Sequence, residues 1–164
     1  MTNIRTLAIA SIFMAMITLV TMYGMIPIAW GYLNLGDAII MLIATVLPGP
    51  LVFLVGGFAS ALADVLVAYP QYALFTFIIK GLEGLMISIL FLSMKKPIRY
   101  YIPFVIAGLW IAFGYALTDA FLYQSWGIGI TSFGYNIIQG SASAMIAIAL
   151  VKTIHPILSK LWNN

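Results

Sequence analysis

Continuous apolar runs are the feature of this sequence that most limits its fold. The run over residues 102–117 contains no charged residue, and similar runs follow one another along most of the chain. The 164 residues include only 7 basic and 4 acidic ones, whereas 64% are hydrophobic. A soluble domain carries about 25% charged residues, and the strands of an outer-membrane barrel would alternate apolar and polar residues. The sequence therefore predicts an all-α integral membrane protein and excludes a soluble domain, a disordered chain and a nucleic-acid binder.

The breaks between the runs predict six transmembrane helices in a single membrane domain. A membrane-spanning helix needs about 20 apolar residues, so six helices account for about 120 residues and leave short loops. The breaks carry proline, glycine or clustered charge, as in Pro48-Gly49-Pro50. The first run lacks a cleavage site and is interpreted as a retained helix. The predicted helices cover residues 6–28, 36–47, 51–68, 72–94, 100–123 and 133–154. Because the second is short, a re-entrant hairpin over residues 37–68 is an alternative.

The basic residues predict the orientation of the bundle. With six crossings, six of the seven basic residues fall on one side, which the positive-inside tendency assigns to the cytoplasm together with both termini. They are Arg5, Lys95, Lys96, Arg99, Lys152 and Lys160. Asp37, Asp64 and Asp119 fall instead at the outer ends of predicted helices. The re-entrant alternative would leave these sides unchanged.

Lys80 and Glu83 are charged residues in the interior of a predicted span, away from its ends. They lie three positions apart and share a helix face. A charge in the hydrocarbon region costs at least about 2.5–3.5 kcal/mol, so such residues point into the bundle. Two interpretations stay open: an ion pair that locks neighbouring helices, or the polar wall of a ligand pocket.

Other polar and aromatic residues gather toward the outer side. Asp37 either caps the second helix or contacts a ligand. Asp64 and Asp119 lie in last helical turns, where a carboxylate opposes the helix dipole, and Lys80 is a candidate partner. Amides can bond between helices or to a ligand, and tyrosine or tryptophan can belong to an interface belt or stack on a flat ring. These residues predict a pocket that opens outward. The candidate substrate-binding residues are Tyr32, Asn34, Asp37, Asp64, Tyr72, Lys80, Glu83, Asp119, Trp126, Asn136 and Gln139.

Small residues recur at helical spacing. Gly108 and Gly140 belong to two such stripes, which let helices approach closely in lipid. Ala8, Ser11 and Ala15 form a stripe on the first helix that either packs within the bundle or faces a partner protein.

Catalytic and metal-binding signals are absent from the sequence. There are no cysteines and one histidine, His155. No phosphate-binding loop, zinc-protease motif or nucleophile motif occurs. We expect no enzyme activity, no metal and no cofactor.

An ordered set of motifs runs from Gly31 to about Leu90. It comprises Gly31-Tyr-Leu-Asn-Leu-Gly-Asp37, Leu47-Pro-Gly-Pro50, Ser60-Ala-Leu-Ala-Asp64, Tyr69-Pro-Gln-Tyr72 and Lys80-Gly-Leu-Glu-Gly84. This set resembles the substrate-binding S components of energy-coupling factor (ECF) vitamin transporters, in the riboflavin-type, hydroxymethylpyrimidine and pyridoxine-like branch.

The resemblance implies a six-helix S component in the plasma membrane of a prokaryote. It implies capture of a small vitamin under the outer loops and delivery by tilting in the membrane. The implied partners are a transmembrane coupling subunit, the ECF T component, and two cytoplasmic ATPases. The family presents small residues of the first helix to the coupling subunit, which corresponds here to Ala8, Ser11 and Ala15, with a serine where alanine is usual.

The substrate implied by the resemblance is vitamin B6 (pyridoxine) or hydroxymethylpyrimidine, with riboflavin or another vitamin as the alternative. Two rival functions are a stand-alone ion-coupled transporter that uses Lys80, Glu83 and Asp119, and a purely structural membrane subunit.

Overall fold

The computed structural model describes residues 4–163 and contains six α-helices in that range. They are α1 (Ile4–Tyr23), α2 (Gly36–Ile43), α3 (Gly49–Leu66), α4 (Ala73–Ser93), α5 (Ile102–Leu122) and α6 (Trp126–Asn163). Single 3-10 turns, Pro70–Tyr72 and Ile98–Tyr100, precede α4 and α5. In the described range, five segments are long and apolar enough to cross a membrane. The predicted all-α membrane bundle is therefore confirmed.

Helix α2 differs from the other five because it lies inside the bundle. Its eight residues rise by about 12 Å, too little to cross a hydrocarbon core of about 30 Å. Ile40 and Met41 are fully buried, as expected for a helix that is apolar on all sides. The helix predicted to reach residue 47 ends at Ile43 and continues as turns. Ser88, near the end of α4, donates a hydrogen bond to the Leu47 carbonyl (3.3 Å). Leu47 therefore lies beside the last turns of α4, and the chain has passed along most of the length of the bundle before α3 begins.

The first predicted helix ends earlier than expected. It was expected to reach residue 28, but α1 ends at Tyr23. The strands β1 (Ile26–Ile28) and β2 (Gly31–Leu33) follow it as an antiparallel hairpin in which Pro27 faces Tyr32. Proline disfavours a helical residue before it, and the isoleucines on either side of Pro27 suit a strand. The apolar character of this segment hid the change from helix to strand.

The predicted loop over residues 124–132 is wrong, because α6 begins at Trp126 and runs for 38 residues. Ser125 precedes it, and its hydroxyl accepts a hydrogen bond from the Ile128 amide (3.4 Å), the geometry of a helix N-cap. A Cβ at Gly129 would lie 2.7 Å from the Ala116 carbonyl oxygen. The glycine that suggested a loop therefore lets α6 approach α5.

Small residues bring α5 and α6 into close contact further along. A Cβ at Gly108 would lie 2.9 Å from the Gly140 carbonyl oxygen, and one at Gly140 would lie 2.5 Å from the Gly108 carbonyl oxygen. This contact favours the packing interpretation of those two stripes.

The two ends of the bundle differ in chemistry. At one end the Arg5 guanidinium donates to the Leu161 carbonyl, which places the first and last described turns together. Lys152 of α6 donates to the Tyr101 hydroxyl at the start of α5 (3.4 Å). This end, here the basic end, therefore holds all six basic residues predicted to share a side. The apolar core, with Ile87, Phe91 and Phe104, fills the half of the bundle nearer to it. The hairpin covers the opposite end, here the cavity end.

Candidate functional site

A small polar cavity lies beneath the hairpin at the cavity end. It contains about 30 Å³ of free space, room for about two water molecules. Seven predicted candidate residues line it, from the hairpin and the residue that follows it, from the turn before α4, and from α3, α5 and α6. They are Tyr32, Asn34, Asp64, Tyr72, Asp119, Asn136 and Gln139.

Helical spacing explains how the walls of this cavity form. Tyr72, the N-cap residue of α4, lies one turn before Thr76, and Tyr115 and Asp119 lie one turn apart on α5. Asn136 and Gln139 occupy one face of α6 in the same way. Thr76 donates to or accepts from the Tyr115 hydroxyl at 3.0 Å, which joins the walls built by α4 and α5.

Hydrogen bonds hold the hairpin over the cavity. The Tyr72 hydroxyl lies within bonding distance of two acceptors, the Trp30 carbonyl and the Asp119 carboxylate. Tyr123 also donates to the Trp30 carbonyl, at 3.2 Å. The Tyr32 hydroxyl donates to the Asp64 carboxylate from the second strand. The hairpin is thus held by bonds to Asp64 and Tyr72, which also line the cavity, and to Tyr123.

A buried ion pair lies below the cavity. Lys80 of α4 is 1% exposed and pairs with the Asp37 carboxylate of α2. Gln139 Nε2 donates to Asp37 Oδ2 (2.7 Å), and Gln139 Oε1 accepts from the backbone N–H of Asn34 (2.9 Å). These four residues, Asn34, Asp37, Lys80 and Gln139, are here called the floor network, and they connect the cavity to the bundle core.

The structure corrects two expectations about these charges. Asp37 does not cap α2, since Leu35 occupies the N-cap and no side chain bonds there. The partner of Lys80 is Asp37 and not Asp64 or Asp119, because the first turn of the central helix α2 faces α4.

Glu83 lies outside the cavity wall. It is fully buried, and within residues 4–163 neither of its carboxylate oxygens has a hydrogen-bond partner. Lys80 therefore does not form an ion pair with Glu83. It forms one with Asp37 of α2, so the interpretation that an ion pair locks neighbouring helices named the wrong acidic partner.

The cavity wall is acidic. Asp64 and Asp119 both line it, and Asp64 Oδ2 has no hydrogen-bond partner in the described range. Burial, and next the nearby Asp64 carboxylate, raise the pKa of the Tyr32 phenol, so Tyr32 stays protonated and donates to Asp64. Carboxylates with free acceptor capacity favour a ligand that brings hydrogen-bond donors or positive charge.

Two groups of candidates lie away from the cavity. Trp126 is 73% exposed at the first turn of α6, because the segment expected to be a loop is helical. Ala8, Ser11 and Ala15 are exposed on α1. Ser11 and Ala15 line a shallow apolar groove together with Leu62 of α3.

The sequence analysis missed other cavity residues. Thr76 and Tyr115 line the cavity, as do Ile28 and Gly31 of the hairpin. Thr76 lies one turn before Lys80 and Tyr115 one turn before Asp119, so helical periodicity could have found both. The hairpin residues had no such signal.

The described residues offer no metal site. Within residues 4–163, no three side chains among His, Cys, Asp and Glu come together to hold an ion. His155 contacts the Thr45 hydroxyl (3.1 Å) and packs on Phe91 at the basic end, far from the cavity.

Comparison with known proteins adds the family to this geometry. The model of the ECF-type riboflavin transporter S component family matches residues 1–156. The chain belongs to this family. The S component is also 40% identical over 149 residues to an uncharacterized protein of Pyrococcus woesei, covering 87% of this chain and 99% of that protein.

Family membership confirms several predictions made from the sequence. The S component is a transport subunit and not an enzyme. It is a membrane-embedded, multi-pass protein, and its family implies association with a T component and ATPases.

Proposed function

We propose that the S component binds a small, neutral or cationic vitamin or vitamin precursor in the cavity beneath the hairpin. The acidic wall carries this proposal, because Asp64 and Asp119 face the cavity while the lysine below it is already paired with Asp37. A ligand rich in donors would satisfy these carboxylates. An anionic vitamin would meet negative charge instead.

Pyridoxine and hydroxymethylpyrimidine fit this chemistry best. Each is a flat nitrogen ring that carries at least one hydroxymethyl group able to donate to Asp64 or Asp119. Tyr32 and Tyr72 offer aromatic faces on which a ring can stack, and Asn136 offers both a donor and an acceptor. Riboflavin, which is larger, is the alternative substrate.

The small free volume of the cavity requires the hairpin to move when ligand enters. About 30 Å³ accommodates water but no vitamin. Ligand entry would break the hydrogen bonds that join the hairpin to the rest of the cavity mouth. The donors of these bonds are the hydroxyls of Tyr32, Tyr72 and Tyr123. A small ring needs less displacement of the hairpin than riboflavin does.

We also propose the direction and partners of transport. The basic end faces the cytoplasm of a prokaryotic plasma membrane, in line with the positive-inside tendency, and the cavity opens outward. The exposed small residues Ala8, Ser11 and Ala15 of α1 contact the T component, which connects the S component to two ATPases.

A binding titration tests the substrate class. Tryptophan fluorescence of the purified protein in detergent reports on binding, because Trp30 lies in the hairpin turn above the cavity. We expect saturable binding of pyridoxine or hydroxymethylpyrimidine and none of pantothenate, an anion; riboflavin and thiamine complete the panel. Saturable binding of pantothenate in place of the ring compounds would overturn the proposal.

Two carboxamide variants test the site. Loss of a hydrogen bond to a charged group costs about 1.5–3 kcal/mol, or roughly 10- to 100-fold in affinity. Asp64→Asn and Asp119→Asn should each weaken binding by that factor, whereas Lys152→Gln at the basic end should not. If both aspartate variants kept full affinity, the cavity would not be the binding site.

A further inference from the structure

Glu83 is a buried carboxyl group that the proposed binding site does not use. It is fully buried on α4 and has no hydrogen-bond partner for either oxygen among the described residues. The charged groups that act on it are Asp37 from α2 and Lys80 from its own helix. The titratable neighbour of Glu83 on α5 is Tyr115. The Asp64 carboxylate of α3 also acts electrostatically on the Tyr115 hydroxyl.

The charges around Glu83 do not balance if every carboxyl group is ionised. Lys80 supplies one positive charge, and Asp37 takes it as an ion pair that Gln139 also supports. A second carboxylate in the same interior would have neither a donor nor a cation of its own. Such a charge is costly to bury, and a group in that position is neutralised instead.

We propose that Glu83 is a proton-binding site and the reserve counter-ion of Lys80. Glu83 is a neutral carboxylic acid while Asp37 holds the lysine. When Asp37 takes up a proton from bulk water, or is replaced by asparagine, Glu83 releases its own proton to bulk water, and the resulting carboxylate balances Lys80. The total charge of the three side chains stays at zero in both arrangements. This inference holds whatever ligand the cavity binds.

Infrared spectroscopy of the purified protein tests the protonation directly. A protonated carboxylic acid has a carbonyl stretching band that a carboxylate lacks. We expect a buried acid band in the wild-type protein that disappears in Glu83→Gln. The same band should also disappear in Asp37→Asn, because Glu83 then ionises. A band that Glu83→Gln leaves unchanged, or that survives in Asp37→Asn, would overturn the proposal.

A thermal-stability cycle tests the exchange of roles. Glu83→Gln replaces a neutral acid with a neutral amide of the same shape, so the melting temperature should hardly change. Asp37→Asn should lower it modestly because Glu83 takes over. The double variant leaves Lys80 without a counter-ion and should lose more than the sum of the two, to the point of failing to fold. An additive result, or a Glu83→Gln protein that does not fold, would contradict the proposal.

A third substitution serves as the control for charge. Adding Lys80→Met to the double variant removes the uncompensated cation while filling a similar volume, so folding should recover. If the triple variant were as unstable as the double, the loss would come from packing and not from charge, and the proposal would fail.

Discussion

Lys80 and Asp37 form a buried ion pair between α4 and α2, 43 residues apart in sequence. The pair joins α2, the only helix that lies wholly within the described bundle, to α4, which carries the buried residues Lys80 and Glu83. Gln139 extends the connection to α6, 102 residues from Asp37. The floor of the cavity is therefore supported by contacts between three helices.

Removing the lysine of this pair should destabilise the fold. Lys80→Ala leaves the Asp37 carboxylate buried without its cation, and breaking a buried pair in this way costs about 3–5 kcal/mol. Denaturation of the detergent-solubilised protein measures the loss. Lys152→Ala, at an exposed lysine, should change stability by no more than about 0.5 kcal/mol. Equal stability of the two variants would show that the ion pair does not stabilise the bundle.

Tyr72 should control how firmly the hairpin is closed. Tyr72→Phe removes the hydroxyl that reaches the Trp30 carbonyl and Asp119, a net loss of about 0.5–1.5 kcal/mol. Amide hydrogen exchange in residues 31–33 should accelerate, and ligand should associate faster. Tyr101→Phe at the basic end serves as the control and should leave both rates unchanged. Unaltered exchange in Tyr72→Phe would mean that this hydroxyl does not hold the hairpin.

The contact between α5 and α6 predicts opposite effects at two glycines of the same helix. Gly140→Ala places a Cβ 2.5 Å from a backbone oxygen of α5 and should destabilise by about 1–3 kcal/mol. Gly134 has no atom within 4 Å of such a Cβ. Gly134→Ala should therefore stabilise by up to about 1 kcal/mol through helix propensity. Thermal melts of both variants give the comparison, and similar effects at the two positions would refute the close contact.

The exposed stripe on α1 should affect assembly and not ligand binding. Ser11→Leu or Ala15→Leu fills the groove beside Leu62 and should reduce co-purification of the T component. Ligand affinity should not change, because these residues are remote from the cavity. Ala149→Leu, an equal enlargement on an exposed face of α6, is the control. Normal recovery of the T component with the α1 variants would place the interface elsewhere.

Much of the fold could be predicted because the hydropathy of a short stretch of chain is enough to indicate a buried or membrane-embedded helix. The apolar runs predict all six helices, but the prediction that all six cross the membrane is wrong for the short α2. The apolar run through Ile26 and Ile28 also concealed the hairpin. Glycines at 127 and 129 suggested a loop where the cap at Ser125 and close packing on α5 favour a helix. In both cases local composition allowed two structures, and pairing or packing selected one.

The candidate site was predictable in part for the same reason. Polar residues such as Asp64, Asp119 and Gln139 are conspicuous in apolar helices, and their positions along the helices place them at one end of the bundle. Trp126 looked similar in sequence but lies on the outside of α6, 73% exposed. Which face of a helix points inward depends on its neighbours, and a single aromatic residue does not reveal them.

The sequence by itself determined that this chain lies in a membrane, that its basic residues share one end and that its polar residues gather at the other. These properties follow from the free-energy cost of placing a charged side chain in hydrocarbon. Because this cost depends on the composition of each segment by itself, it can be read from the sequence. Only the tertiary structure decided that Lys80 pairs with Asp37 rather than Glu83, and that the hairpin closes over Asp64 and Asp119. Those choices join residues distant in sequence, and they are set by how the helices pack around the buried α2.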